Sequence, residues 1–193
     1  GFVNSQRILN DAPQAAKDFI CRQLSLIGTA AAVPAIAPLL ADEKLSHMAR
    51  YALERIPGDG AVQALRDALP KASGLRKVGI VNSLGVRRDA QSTAAIAALL
   101  QDGDPQVVSA ALGALGGIGN AVAAKALGEY QAKAPESLRL VAADAYLACA
   151  EHLLADGKKL DAMAIYKALN KPESPKHVKL AAMRGLLAVT GQK

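Results

Sequence analysis

A short alanine-rich run followed by a polar turn and a second apolar run recurs along this chain, and that recurrence constrains the fold more than any single motif. The first runs are TAAAVPAIAPLL (29–40), GAVQALRDAL (60–69), STAAIAALL (92–100) and AVAAKAL (121–127), with a looser DAMAIYKAL at 161–169. They close on Leu40, Leu69, Leu100, Leu127 and Leu169, at separations of 29, 31, 27 and 42 residues. A repeated two-helix unit cannot bury its apolar face alone, so stacking on neighbours must supply the core. Arrays of this kind work by presenting surface rather than by enclosing a reaction.

The residue types support helices. Half of the 193 residues are hydrophobic, but Trp is absent and only four Tyr and two Phe occur. Ala and Leu dominate instead, which favours close-packed helices over sheets. Periodicity assigns a helix to 14–27, where Ala16, Phe19, Ile20, Leu24 and Ile27 recur at three- and four-residue spacing. Helix pairs follow at 31–40 with 44–56, 60–69 with 74–85, 92–100 with 105–116, 120–133 with 136–155, and 159–169 with 175–189. Pro57, Gly58 and Gly60 break the chain, and Pro105 and Pro175 stand where helices can begin.

The second runs share a pattern: LSHMARYAL (45–53), VVSAALGAL (107–115), LRLVAADAY (138–146) and VKLAAMRGL (178–186). Apolar residues hold the first, fourth or fifth, and ninth places, while Ala or Gly fills a crowded eighth. One face is thereby set to bury against a neighbouring helix.

Here the chain resembles the HEAT-repeat family, including its short bacterial units. The matching motifs are DGDPQVVSAALGALGGIGN (102–120), APESLRLVAADAYLACA (134–150) and SPKHVKLAAMRGLL (174–187). Asp104-Pro105 matches the family's turn, Arg139 and Lys179 its basic position, and Ala114-Leu115-Gly116 its close. Ser46 and Val108 depart from the basic position, and Arg76-Lys77 fits it with a one-residue ambiguity. The resemblance spans about 29–190 and implies an all-α, right-handed αα superhelix of about five hairpins. It makes 1–193 a single repeat domain. The stretch 145–169 also looks somewhat like a tetratricopeptide unit through Tyr146, Ala150, Ala162 and Tyr166, but lacks the Trp-Leu-Gly opening.

In that family the second helices line the concave side, which makes Arg50, Tyr51, Lys77, Asp144 and Arg184 the expected partner-binding positions. Arg offers directed donors for carboxylate or phosphate, and Tyr adds apolar area with a polar tip. Turn acids such as Asp42, Asp59, Asp89, Asp102 and Asp104 are expected to cap helices or bond their own backbone. Asp104, Arg139 and Lys179 are the expected braces between repeats.

Catalytic signatures are missing from the sequence. His47, His152 and His177 lie in different units, and no HExxH, GxSxG or GxxxxGK[ST] motif occurs. Cys149 and His152 share a helix face but have no further ligand nearby in sequence, and the glycines of 113–119 read as close packing and a turn. Cys21 and Cys149 read as buried free thiols. No cofactor is expected.

The net charge of +6 is spread without a basic block, Arg87-Arg88 and Lys158-Lys159 being isolated pairs. The leading expectation is therefore a noncatalytic protein-interaction scaffold. One alternative is a nucleic-acid-binding HEAT-like array, which some alkylation-repair glycosylases resemble. The other is an accessory or catalytic subunit similar to HEAT-like bilin lyases. The opening GFVNSQRILNDAPQ has no signal-peptide pattern and no run is apolar enough for a membrane span. The absence of an initial Met and the entry in mid-unit suggest a piece of a longer protein, so no compartment is assigned.

Overall fold

The computed structural model describes residues 12–191, and every regular element among them is helical. The chain divides into two compact units, the first ending at Arg87 and the second starting at Arg88.

The first unit begins with α1 (Gln14–Ile27), which fills the periodic stretch found in the sequence. The expected helix at 31–40 is instead broken. A 3₁₀ turn, Ala30–Ala32, leads into the four-residue α2 (Val33–Ile36), and a second 3₁₀ stretch covers Ala37–Ala41. Pro34 and Pro38 explain this. Pro34 is tolerated in the first turn, but Pro38 has no amide hydrogen for the carbonyl four residues back, so the chain tightens into 3₁₀ geometry. The unit continues with α3 (Ser46–Arg55), α4 (Asp59–Ala68) and α5 (Gly74–Val86).

Helices one hairpin apart pack together: α1 on α3 and α3 on α5 form one layer, and the 30–41 segment against α4 forms the other. Between the layers lie Ile36, Leu53, Ile56, Leu65, Ile80 and Leu84, all essentially inaccessible.

The second unit repeats the scheme with longer, smoother helices. Its elements are α6 (Thr93–Ala98), α7 (Pro105–Ile118), α8 (Ala121–Gln131), α9 (Glu136–Ala155), α10 (Lys159–Leu169) and α11 (Lys176–Thr190). The expected 92–100 helix is α-helical only over α6, with 3₁₀ turns at Ala90–Ser92 and Leu99–Gln101 on either side, and hydroxyls engage its start. Thr93 Oγ1 donates to the Ala90 carbonyl at 2.7 Å, and Ser92 donates to the Asp89 carboxylate. Asp104 caps α7 by accepting the Gln106 amide at 2.8 Å, and Asn120 caps α8 by accepting that of Ala123 at 2.8 Å.

The layers here are α7–α9–α11 and α6–α8–α10, with α9 packed on four helices. At Gly116 of α7 backbone meets backbone: a Cβ there would lie 2.7 Å from the Ala145 carbonyl oxygen on α9. The crowded eighth place of the second-run pattern is thus occupied by buried Ala52, Ala114 and Ala145. At its fourth copy, Gly185 faces the Tyr166 ring, against which a Cβ would fall at 2.4 Å. All five leucines that close the first runs are buried.

No described helix is long and apolar enough to cross a membrane. Both cysteines are free and buried, and burial raises each thiol to about 11 from 9.0, with Asp18 adding to the effect at Cys21.

Candidate recognition face

In the first unit the second-run helices collect charge. Helices α1, α3 and α5 carry Lys17, Arg22, Arg50, Arg55, Arg76 and Lys77 against Asp18 and Glu54, whereas the 30–41 segment carries none. Helical spacing places these residues in rows. Arg22 and Leu26 stand four apart on α1, and His47, Tyr51 and Arg55 stand at successive four-residue steps on α3.

Of the expected partner-binding residues, Arg50 and Tyr51 lie in this region and have different surroundings. Arg50 is half buried, and its Nη1 donates to the Gly79 carbonyl at 3.1 Å and to Ser83 Oγ at 3.4 Å. A Cβ on Gly79 would strike the Arg50 guanidinium at 2.4 Å, so the missing side chain on α5 is what admits it. Desolvation lowers the Arg50 pKa below its usual range, partly offset by Glu54. Arg50 is thus occupied between α3 and α5, leaving Nε buried without a hydrogen-bond partner.

Arg87 extends this bracing along the same unit. Its guanidinium donates to the carbonyls of Glu54, Ile56 and Gly58 at 3.2, 2.8 and 2.9 Å, holding the turn after α3. Ser83 donates to Glu54 Oε1 at 2.6 Å, which turns that acid into the seam between α3 and α5.

Tyr51 is half buried beneath Arg55, whose guanidinium sits 3.6 Å from the ring centroid. Beside it a shallow recess of about 340 Å³ opens between α1 and α3, lined by Arg22, Ser25, Leu26, His47, Met48 and Tyr51. Lys77 is half buried near the start of α5.

The remaining expected residues belong to the second unit and are scattered there. Asp144 is exposed and pairs with His177 Nε2 at 3.2 Å, a contact between α9 and α11. Arg184 is exposed on α11 and Lys179 is half buried on the same helix. Arg139 pairs with Glu136 of its own helix at 2.7 Å, and Asp104 is engaged in its cap.

Sequence reasoning did not place Arg22, Leu26, Arg55 or His47 on a binding face, His47 having been weighed only for catalysis or metal binding. The helix 14–27 was legible, and so was the second-run pattern of α3. Extending the outward four-residue rows to both helices is the signal that finds these side chains.

Among the described residues no three His, Cys, Asp or Glu side chains come together as a metal site. The second unit has a cleft of about 500 Å³ bounded by Arg88, Asn120, Asp156, Lys158 and Asp161. Across it Arg88 bridges to Asp156 at 2.8 Å and lies 3.5 Å from the Ile118 carbonyl. In the first unit the recess thus combines the Leu26, Met48 and Tyr51 side chains with the polar groups of Arg22, Ser25 and His47, and Arg55 stacks on its Tyr51.

No curated protein matches the chain. A family model describing HEAT repeats matches residues 75–148, less than half of the 193 residues, taking in the 102–120 motif but not the one at 174–187.

Proposed function

We propose that the chain is a HEAT-like domain of about five hairpins, wound as a right-handed superhelix, that serves as a noncatalytic protein-interaction scaffold. The observation that carries this reading is the α1–α3 face of the first unit, where the Arg55–Tyr51 stack adjoins an apolar recess. Arginine and tyrosine are the side chains that most often anchor protein interfaces, because each combines contact area with directed polar groups. Stacking holds the Arg55 guanidinium in place, so less side-chain freedom is lost when a partner binds.

The test is cross-linked affinity capture from native lysate with the full chain and with Arg22→Glu/Arg55→Glu. Loss of a specific protein partner at unchanged helicity supports the face. Capture that survives this pair but fails with Arg184→Glu moves recognition to the second unit, and capture indifferent to all three removes the proposal. Recovery of nucleic acid, with binding that falls steeply with salt, would support the nucleic-acid array instead.

A further inference from the structure

The recess between α1 and α3 has a chemical character narrower than general protein binding. Its walls include Leu26 and Met48, and the adjoining end of α1 leaves Leu26 and Ile27 75% and 77% exposed. At about 340 Å³ and open to solvent, it lies at the small end of ligand pockets, which span roughly 300–1,000 Å³. That suits one inserted side chain rather than an enclosed cofactor. Met48, itself buried, supplies a polarisable apolar wall.

The charges around it are arranged asymmetrically. In the Arg22–Asp18 pair the Arg side chain is 64% exposed and the Asp 35%; in Arg55–Glu54 the values are 43% and 17%. Each acid is the more sheltered partner, and Glu54 is further held by the Ser83 hydroxyl. Solvent therefore meets the guanidinium ends, and exposed His47 also lines the recess. Arg50 Nη2 donates to His47 Nδ1 at 3.3 Å, which ties the imidazole to the Arg50 brace.

We infer that this recess binds an acidic peptide segment bearing one bulky aliphatic side chain; the inference rests on the recognition reading above. The aliphatic group enters between Leu26, Met48 and Tyr51. Flanking carboxylates meet the Arg22 and Arg55 forks, a pairing favoured by their planar donor geometry. A nucleic acid is less well served, since the Tyr51 ring that would stack a base is already covered by Arg55.

The experiment measures fluorescence anisotropy of the full chain with labelled 12-residue Glu/Ser peptides carrying a central Leu. Matched probes replace that Leu by Ser, replace Glu by Lys, or substitute a 12-nucleotide oligothymidylate. The Glu/Leu peptide is expected to bind, with the Leu→Ser probe weaker by about tenfold, the scale of one buried aliphatic side chain. Arg22→Gln and Arg55→Gln are each expected to weaken it several-fold, while Lys125→Gln in the second unit leaves it unchanged.

Equal binding with and without Leu, tighter binding of oligothymidylate, or no binding of the Glu/Leu peptide would each overturn the inference. If Arg22→Glu/Arg55→Glu still abolishes protein capture while the peptide fails, the face survives and only its acidic–aliphatic specificity falls. Failure of both removes the face as well.

Discussion

The two units use the same hairpin scheme but close their helix seams with different materials. In the first, α3 and α5 meet through Arg50, Glu54, Ser83 and Arg87, long or polar side chains seated against backbone carbonyls. In the second, α7 and α9 meet through Gly116 and Ala145, where backbone approaches backbone. Helix α7 carries no charged residue at all. The contrast separates two ways of satisfying a helix pair. Small residues let dispersion and close packing dominate, whereas in the first unit charged and hydroxyl side chains fill the seam with hydrogen bonds.

Breaking the small-residue seam should have the largest effect. Gly116→Val puts branched carbon against the Ala145 backbone, which cannot rotate away, and should cost about 3 kcal/mol. Urea unfolding with hydrogen exchange on α7 and α9 would measure it. A cost below that of Gly79→Ala would remove the proposed distinction between the seams.

Gly79→Ala tests the polar seam. The added methyl meets the end of Arg50, which can swing outward, so the expected cost is about 1 kcal/mol. In an Arg50→Ala background the same change should cost much less, and a double-mutant cycle measures that coupling. Additive costs would show that the guanidinium does not occupy the space vacated at Gly79.

Arg88 sharpens the comparison because its backbone adopts φ 49° at a position where glycine is usual. Arg88→Ala keeps that strain and loses the bridge to Asp156, whereas Arg88→Gly loses the bridge and relieves the strain. Gly should therefore be the more stable variant by about 1 kcal/mol, measured by urea midpoint at constant m-value. Equal stability would mean that the left-handed backbone carries no cost here.

The smallest effect at neutral pH concerns the thiols, one in each unit. Their folded pKa near 11 lies above the reference of 9.0, so the folded state holds the proton more tightly. Their contribution is fully present below about pH 9 and is lost as pH rises towards 11. Asp18→Asn should lower the Cys21 pKa and leave Cys149 unchanged, because Asp18 contributes only at Cys21. Thiolate absorbance against pH would separate the two.

Helix positions were largely legible because periodicity is a local property of the chain. Residues 14–27 and 136–155 form helices over the expected spans, and the buried closing leucines follow the repeat. The 31–40 segment departed from expectation even though both prolines were visible, since only the backbone shows how far Pro38 tightens the turn. The proposed recognition face was partly legible: Tyr51 stood out in the α3 pattern, while Arg22 on α1 gained meaning only from the helix packed beside it.

The sequence by itself determined a helical array with small residues where helices crowd. It specified that through spacing, composition and the places where proline and glycine interrupt the periodicity. Only tertiary structure decided which arginines are braces and which face solvent. Arg50 and Arg55 lie five residues apart on one helix, yet Gly79 admits the first into a seam while Tyr51 supports the second at the surface. That difference depends on what a neighbouring helix lacks, and no local pattern around either arginine carries it.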